Sequence, residues 1–424
     1  MKIAVIGTGI AGNVAAWKLC QQHEVTVYEA NDYIGGHTHT HDIRLDGRDY
    51  TIDTGFIVFN YWTYPEFTRL LEHLDIPVQP TNMSFSVKHQ ITGLEYNGNT
   101  INSLFAQRRN LLRPSFIRMV REILRFNKQA YASLDSEDAE LPLGEYLKKY
   151  RYGQEFVDHY IVPMGSAIWS TDPAMMQQFP ARLFIRFFHN HGLLSVKDRP
   201  LWHVIKNGSR SYLHALTRDF CSDIRLNTAV RQIERHPGHV EILTDEHARE
   251  RYDAVFIAAH CDEALNMLAS PTAAEKQVLG AIPYQDNEAV LHTDSSILPK
   301  RKLAWAAWNY HILDKDQQRV ALTYDMNILQ NIDSENTFCV TLNNTGMIDE
   351  GKIIKRLQYT HPLYTPASVA AQQRHGEING TMRTWYCGAY WGNGFHEDGV
   401  VSALRAVDHF NEAIDEERHL HRAS

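Results

Sequence analysis

Cysteine is scarce in this chain. Cys20, Cys221, Cys261, Cys339 and Cys387 are scattered through 424 residues, and none forms C-x-x-C or a zinc spacing. A disulfide framework and a thiolate metal centre are therefore excluded, and a reducing compartment is expected. Uninterrupted apolar runs of about 18 residues are missing, so no membrane-spanning helix is expected. A cleavable leader is not read either: glycines break the apolar run after Lys2, and Trp17-Lys18-Leu19 is a poor cleavage context before Cys20. The expected location is cytoplasmic. Positive charge is not in excess, and a formal net charge of -8 argues against nucleic acid as a partner. His189, His191 and His203 lack the spacing of a helical metal pair, so no metal is expected. No Ser-His-Asp arrangement is evident.

What is present is concentrated at the start. Ile3, Ala4, Val5 and Ile6 form an apolar run suited to a buried parallel strand. Gly7, Gly9 and Gly12 follow as G-x-G-x-x-G, and a helical stretch leads to a second strand, Val25 to Tyr28, and to Glu29. Gly7 permits the tight turn, Gly9 lets backbone approach a pyrophosphate, and Gly12 lets helix and strand pack closely. The helix N-terminus, with Ala11 in its first turn, offers N–H groups to phosphate. Glu29 is placed to accept hydrogen bonds from ribose hydroxyls. Together these predict a dinucleotide-binding βαβ unit. Only one such fingerprint is visible, which disfavours a second, nicotinamide site.

Gly35-Gly36 follows Glu29, with His37 and Thr38 next. Here the sequence resembles the flavin-containing amine oxidase superfamily, which includes protoporphyrinogen oxidases and phytoene desaturases. The resemblance implies noncovalent FAD, with Gly35, Gly36, His37 and Thr38 on its pyrophosphate and flavin side. His37 stands where the superfamily usually has Arg. Further positions come from the same resemblance. Asp53-Thr54-Gly55-Phe56 would pass the flavin ring, with Gly55 and Phe56 in contact, and backbone at Val230 would meet adenine. The closing TWYCGAYWGNGFHEDGVV would bring Gly388, then Gly399 and Val400 at a helix start, to the flavin. Ala389 replaces a common acid, and Cys387 is not at the covalent-attachment position. A narrower resemblance, through Trp202 and Asn207-Gly208-Ser209, is to bacterial FAD-binding proteins without a settled substrate, often associated with lipid-modifying enzymes.

The fold class expected is α/β: a Rossmann-type FAD-binding domain of the glutathione-reductase-like, amine oxidase type, with an interleaved α+β substrate domain. Length alone favours two domains. The FAD-binding domain is expected to be discontinuous, at residues 1–75, 200–270 and 376–424, with 76–199 and 271–375 forming the substrate domain. A hairpin is predicted from His39 to Asp53 around Asp46-Gly47. Helices are predicted at Pro65 to Leu74, Leu143 to Tyr150 and Gln154 to Tyr160, and a final one opening at Asp398-Gly399. Trp305, Trp308 and Tyr310 are expected on one strand, paired with Val320 to Met326.

Leu104 to Lys128 carries Arg108, Arg109, Arg113, Arg118, Arg121, Arg125 and Lys128 against Glu122 alone, with apolar residues interleaved and Pro114 barring one smooth helix. It reads either as a solvated helix face or as peripheral contact with the inner face of a membrane. The leading functional expectation is an FAD-dependent oxidoreductase passing a hydride from an apolar, lipid or fatty-acyl substrate to flavin N5. Oxygen or a quinone-like carrier would be the acceptor. Phe395 is a candidate aromatic wall, and His396 a candidate proton carrier because histidine titrates near neutrality. The competing expectations are an amine oxidase for a small amine and a non-catalytic nucleotide-binding regulatory or assembly protein.

Overall fold

Strand β1 (Lys2–Ile6) is apolar from Ile3 onward because the fold covers both of its faces there. In a computed structural model describing residues 1–245, 248–313 and 318–423, β1 is the middle of a five-stranded sheet. It is followed by helix α1 (Ile10–Leu19) and strand β2 (Glu24–Tyr28). β2 pairs with β1 in parallel, Ile3 opposite Val25, and Ala254–Ile257 flanks the other side with Ala254 opposite Ile3. Ile224–Arg225 and Thr384–Tyr386 complete the edges, also in parallel. Ile3 and Val5 pack under α1 and the closing helix His396–Ala423, with Val14, Val407 and Phe410. Ala4 and Ile6 face the opposite way, against Ile233, Val240 and Tyr252 of a small antiparallel sheet and Cys261 of the following helix. Continuous burial of this kind is what a parallel strand covered on both faces requires.

A seven-stranded mixed sheet forms the second layer system. Its order is Ile353–Pro362, Tyr284–His292, Cys339–Leu342, Leu322–Asp325, Trp308–Ile312, Phe85–His89, Glu95–Asn97. Trp308 lies opposite Tyr324, as the paired-strand reading expects. Trp305 does not share that strand. It comes after a short 3-10 turn, and its indole N–H donates to the Pro299 carbonyl at 2.7 Å. Helices Pro114–Gln129, Leu143–Lys149 and Ala181–Asn190 build a large apolar core against this sheet. Pro114 occupies the first turn of its helix, where a missing N–H costs nothing.

The helix predicted for Gln154 to Tyr160 runs on to Trp169, through a π-turn at Val157–Ile161. Pro163 donates no hydrogen bond to the carbonyl of His159 four residues back. The Tyr96 hydroxyl serves that carbonyl instead, at 2.5 Å. A short sheet joins Val58–Asn60, Trp202–Ile205 and Val78–Thr81, so strands from both sides of the expected boundary at 75/76 are paired. We keep the domain limits as a proposal supported by strand membership. The last of them, Ser424, lies outside the described residues.

Candidate active site

The turn after β1 is built by sterics. Gly7 has φ +97°, a Cβ on Gly12 would lie 1.9 Å from the Gly7 carbonyl oxygen, and a Cβ on Gly9 would meet nothing within 4 Å. Gly7 and Gly12 are thus packed, while Gly9 faces a cavity. No side chain caps α1, which leaves its first N–H groups free for an anion beside Gly9, Ile10 and Ala11. Gly36, at φ +57°, brings the second glycine turn to 3.3 Å from Gly9 Cα as measured from its would-be Cβ. A cradle of this shape fits a pyrophosphate.

Glu29 is buried at the end of β2. One carboxylate oxygen accepts from the Thr8 N–H at 3.0 Å and from the Thr8 hydroxyl. The other accepts from the Asn31 backbone and side-chain N–H groups, both at 2.9 Å. Four donors satisfy the carboxylate, so a ribose hydroxyl must displace the mobile ones, the Thr8 hydroxyl or the Asn31 amide. Thr8 and Asn31 are site residues that motif reading missed. The hydroxyl inside the G-x-G turn was the available signal. Val230, Gly35 and Gly55 also line the cavity.

His37 lines the cavity, and its Nε2 has no partner in the protein. The ring stands 5.3 Å from His361, 6.1 Å from His260 and 5.1 Å from Tyr359. Burial, reinforced by these neighbouring histidines, holds it well below the usual histidine range, so it is neutral near pH 7. Gly55 is required because a Cβ there would lie 2.0 Å from the His37 carbonyl oxygen. The Asp53 side chain, three residues before Phe56, turns away from the cavity. It accepts from Ser209 N–H at 3.0 Å and Ser209 Oγ at 2.8 Å, and from Thr40. Its role is to tie the hairpin to the Asn207-Gly208-Ser209 turn, which corrects the expectation for Asp53 while leaving Gly55 and Phe56 on the wall.

His396 also needs correcting as a proton carrier. It is buried, stacks on Phe56 at 3.6 Å, and its Nε2 bonds the hydroxyls of Thr38 at 2.9 Å and Tyr212 at 3.1 Å. Burial pushes it down to about 3, so it does not change charge near neutrality. It lines the cavity as a fixed ring, with Thr38 behind it. The closing helix starts at His396, two residues ahead of Asp398. Asp398 accepts from the Phe395 N–H at 2.9 Å, while Glu397 accepts from the N–H groups of Glu66 and Phe67. That early start moves Gly399 and Val400 off the cavity wall. A Cβ on Gly399 would sit 2.6 Å from Ile10 Cγ2, and Val400 is in the core beside α1. Gly388, Gly394, Phe395 and His396 take their place on the wall.

The dinucleotide cradle opens without interruption into an apolar chamber, a cavity of about 2030 Å³ in all. Met83, Phe85, Met164, Trp308 and Tyr324 line the chamber, as do Val120, Ile123 and Leu124 from the basic helix. Its apolar stripe is therefore a chamber wall. Phe395 packs on Phe187 at 5.2 Å, and Phe187 stacks on His191 at 3.7 Å. Burial lowers His191 to about 4, and the ring serves as wall. Among the described wall residues between 80 and 202 and between 284 and 364 there is no Asp or Glu, and Arg199 is the single charged side chain. The described residues include one group with metal-ligand geometry, His236, His239 and Glu241. None of the three lines the cavity, and Arg249 already binds Glu241. No cysteine lines the cavity, and all five thiols are free.

The family model of flavin containing amine oxidoreductases matches residues 10–301. A protein of Mycobacterium tuberculosis named for a flavin-containing monoamine oxidase, AofH, is 26% identical over 256 residues, 58% of this chain and 54% of its own. The chain thus spans about half the length of the curated relatives it matches. Cyclohexylamine oxidase from Brevibacterium oxydans superposes with a TM-score of 0.70 at 14% identity, over 98% of this chain and 99% of its own. The fatty acid isomerase of P. acnes that produces CLA does so at 0.68 and 16% identity, over 96% and 98%. At such identities the superpositions establish the amine oxidase fold. The family pattern covers most of the chain, from the helix of the phosphate turn into the mixed sheet, and the chain belongs to the flavin containing amine oxidoreductases.

Proposed function

We propose that this protein is an FAD-dependent oxidoreductase that binds FAD noncovalently and oxidises an apolar, lipid-like substrate, an acyl chain, with oxygen or a quinone-like carrier as the final acceptor. The observation that carries the reading is the chamber: large, aromatic and aliphatic, continuous with the cradle, and without a carboxylate on its substrate side. An ammonium substrate would be left without a counter-charge there, at a large desolvation cost. A hydrocarbon chain is stabilised by about 0.8 kcal/mol per buried methylene. Arg199 is placed to meet an anionic head group.

When bound, the flavin supplies a two-electron acceptor at N5. The chain's own residues do the rest. The α1 N-terminus and Gly9 receive the pyrophosphate, Glu29 the ribose, and the backbone at Val230 the adenine. His37, neutral and with its other ring nitrogen, Nδ1, donating to the Thr360 carbonyl, would line the wall beside the anionic linkage. Phe56, Phe395 and His396 form a wall that excludes water from the ring.

A small amine is the second reading. It is supported by the names of the relatives and by Phe395 on the chamber wall. Anaerobic mixing separates the alternatives. Bleaching of the flavin by a long-chain acyl lipid, with a product two hydrogens lighter by mass spectrometry, is expected. Bleaching by amines alone would make the protein an amine oxidase. Purification without any flavin, and no uptake of added FAD, would favour the non-catalytic reading.

A further inference from the structure

The cavity reaches the surface where aliphatic side chains stand in water. Ile101, Leu124, Val196 and Leu201 all line the cavity, yet they are 80%, 53%, 66% and 62% exposed. Leu112, on the 3-10 turn Arg108–Leu112 just before the basic helix, is 88% exposed. Exposed apolar residues along a cavity lining, with another on the adjoining basic stretch, mark a surface that something covers.

Charge identifies the cover. Arg108, Arg109, Arg118, Arg121 and Lys128 are exposed on the same stretch, and the described residues include no ion pair for any of them. Arg108 and Arg109 bond only uncharged groups, such as the Phe105 and Gly93 carbonyls. Glu122, the single acid of the stretch, is occupied by the Gly153 N–H and Arg125. This local excess of positive charge stands out in a chain of net charge -8. Exposed aliphatic side chains on and beside a stretch rich in exposed cations without ion pairs are the pattern of a helix lying in a membrane interface. No helix of the described residues is long and apolar enough to cross one.

We propose that the cavity mouth docks on a bilayer rich in anionic phospholipid, with Ile101, Leu112, Leu124, Val196 and Leu201 in the acyl boundary and the five cations at the phosphates. An acyl chain would then pass from the membrane into the chamber without crossing water. The passage rests on the proposed lipid substrate. The docking rests on the rim alone, so it is tested without turnover.

Flavin-loaded protein is sedimented with phosphatidylcholine vesicles and with vesicles rich in phosphatidylglycerol. Binding to the second only, fading with added salt, is expected. Arg118→Glu with Arg121→Glu should weaken it by about 25-fold or more, from about fivefold per basic residue removed. Leu112→Ser should weaken it while flavin content and melting temperature stay unchanged, which separates docking from misfolding. Equal binding to both vesicle types, binding to neither, or wild-type binding by Leu112→Ser with the double arginine variant would each overturn the proposal. Vesicle binding without flavin bleaching by lipid would leave the docking standing and remove the acyl substrate.

Discussion

A side chain at Gly9 has room in the protein and none once a pyrophosphate is seated. Gly9→Val should therefore fold normally and purify without flavin, as absorbance against protein concentration will show. Gly12→Val should fail differently, by unfolding, because its Cβ meets the Gly7 carbonyl. Glu29→Ala removes the acceptor for both Thr8 and Asn31 donors. Flavin affinity should fall by about 3 kcal/mol, roughly a hundredfold in Kd. His37→Ala should weaken FAD binding less than Glu29→Ala does, because the neutral ring, with its one N–H on the Thr360 carbonyl, offers no donor to the anionic linkage. Fluorescence titration of apoprotein with FAD measures both. At this scale the glycines were legible because backbone sterics are local. Thr8, Asn31 and Tyr212 were not, because their roles arise from partners that sequence spacing does not reveal.

The elements show where spacing misleads. The pattern around Gly399 points to a helix start there, but Asp398 caps the Phe395 N–H and begins it at His396. His396 is enclosed and neutral as a result. With its proton affinity pushed down to about 3, the flavin reduction rate should show no ionisation of His396 between about pH 6 and pH 8. His396→Asn should keep that pH profile, whereas a profile that loses a step near neutrality in the variant would restore the proton-carrier role. The π-turn was equally hidden, since it depends on a tyrosine far away in sequence. Tyr96→Phe strands the buried His159 carbonyl and should cost about 1–3 kcal/mol of stability in urea denaturation. Strands and most helices were readable from periodicity, because burial on one face or two dictates it.

Over the whole molecule, buried histidines dominate the response to acid. His39, His41, His191, His292, His311, His361 and His396 are lowered to about 3 or about 4, and His37 well below its usual range, chiefly by burial. Each takes up a proton on unfolding, so its stabilising contribution is present above pH 6.5 and is lost as pH falls toward 4. Asp53, Asp325 and Asp398, raised to about 6 by burial, act in the opposite sense between pH 4 and 6. The histidines outnumber them. Stability should fall from about pH 7 to about pH 5, by up to about 1.4 kcal/mol per pH unit for each net proton, and less for partly buried His39. Melting followed by flavin fluorescence would show it, and an unchanged melting temperature would mean these rings are solvated. The parallel nucleotide-binding sheet was legible from the motifs at the two ends of the chain. The merging of cradle and chamber into one cavity was not, because it depends on how the halves pack.

The parallel sheet also sets a timetable for synthesis. β1 leaves the ribosome well before its neighbour Ala254–Ile257 and the outer strand Thr384–Tyr386, which come hundreds of residues later. The apolar side of α1 waits longest, for the helix His396–Ala423. Until then the nascent chain carries an unzipped strand edge and a bare helix face, the surfaces that chaperones bind and that aggregate. Cofactor capture is therefore expected only after the closing helix has emerged, and a chain arrested before residue 396 should be held by chaperones and colourless.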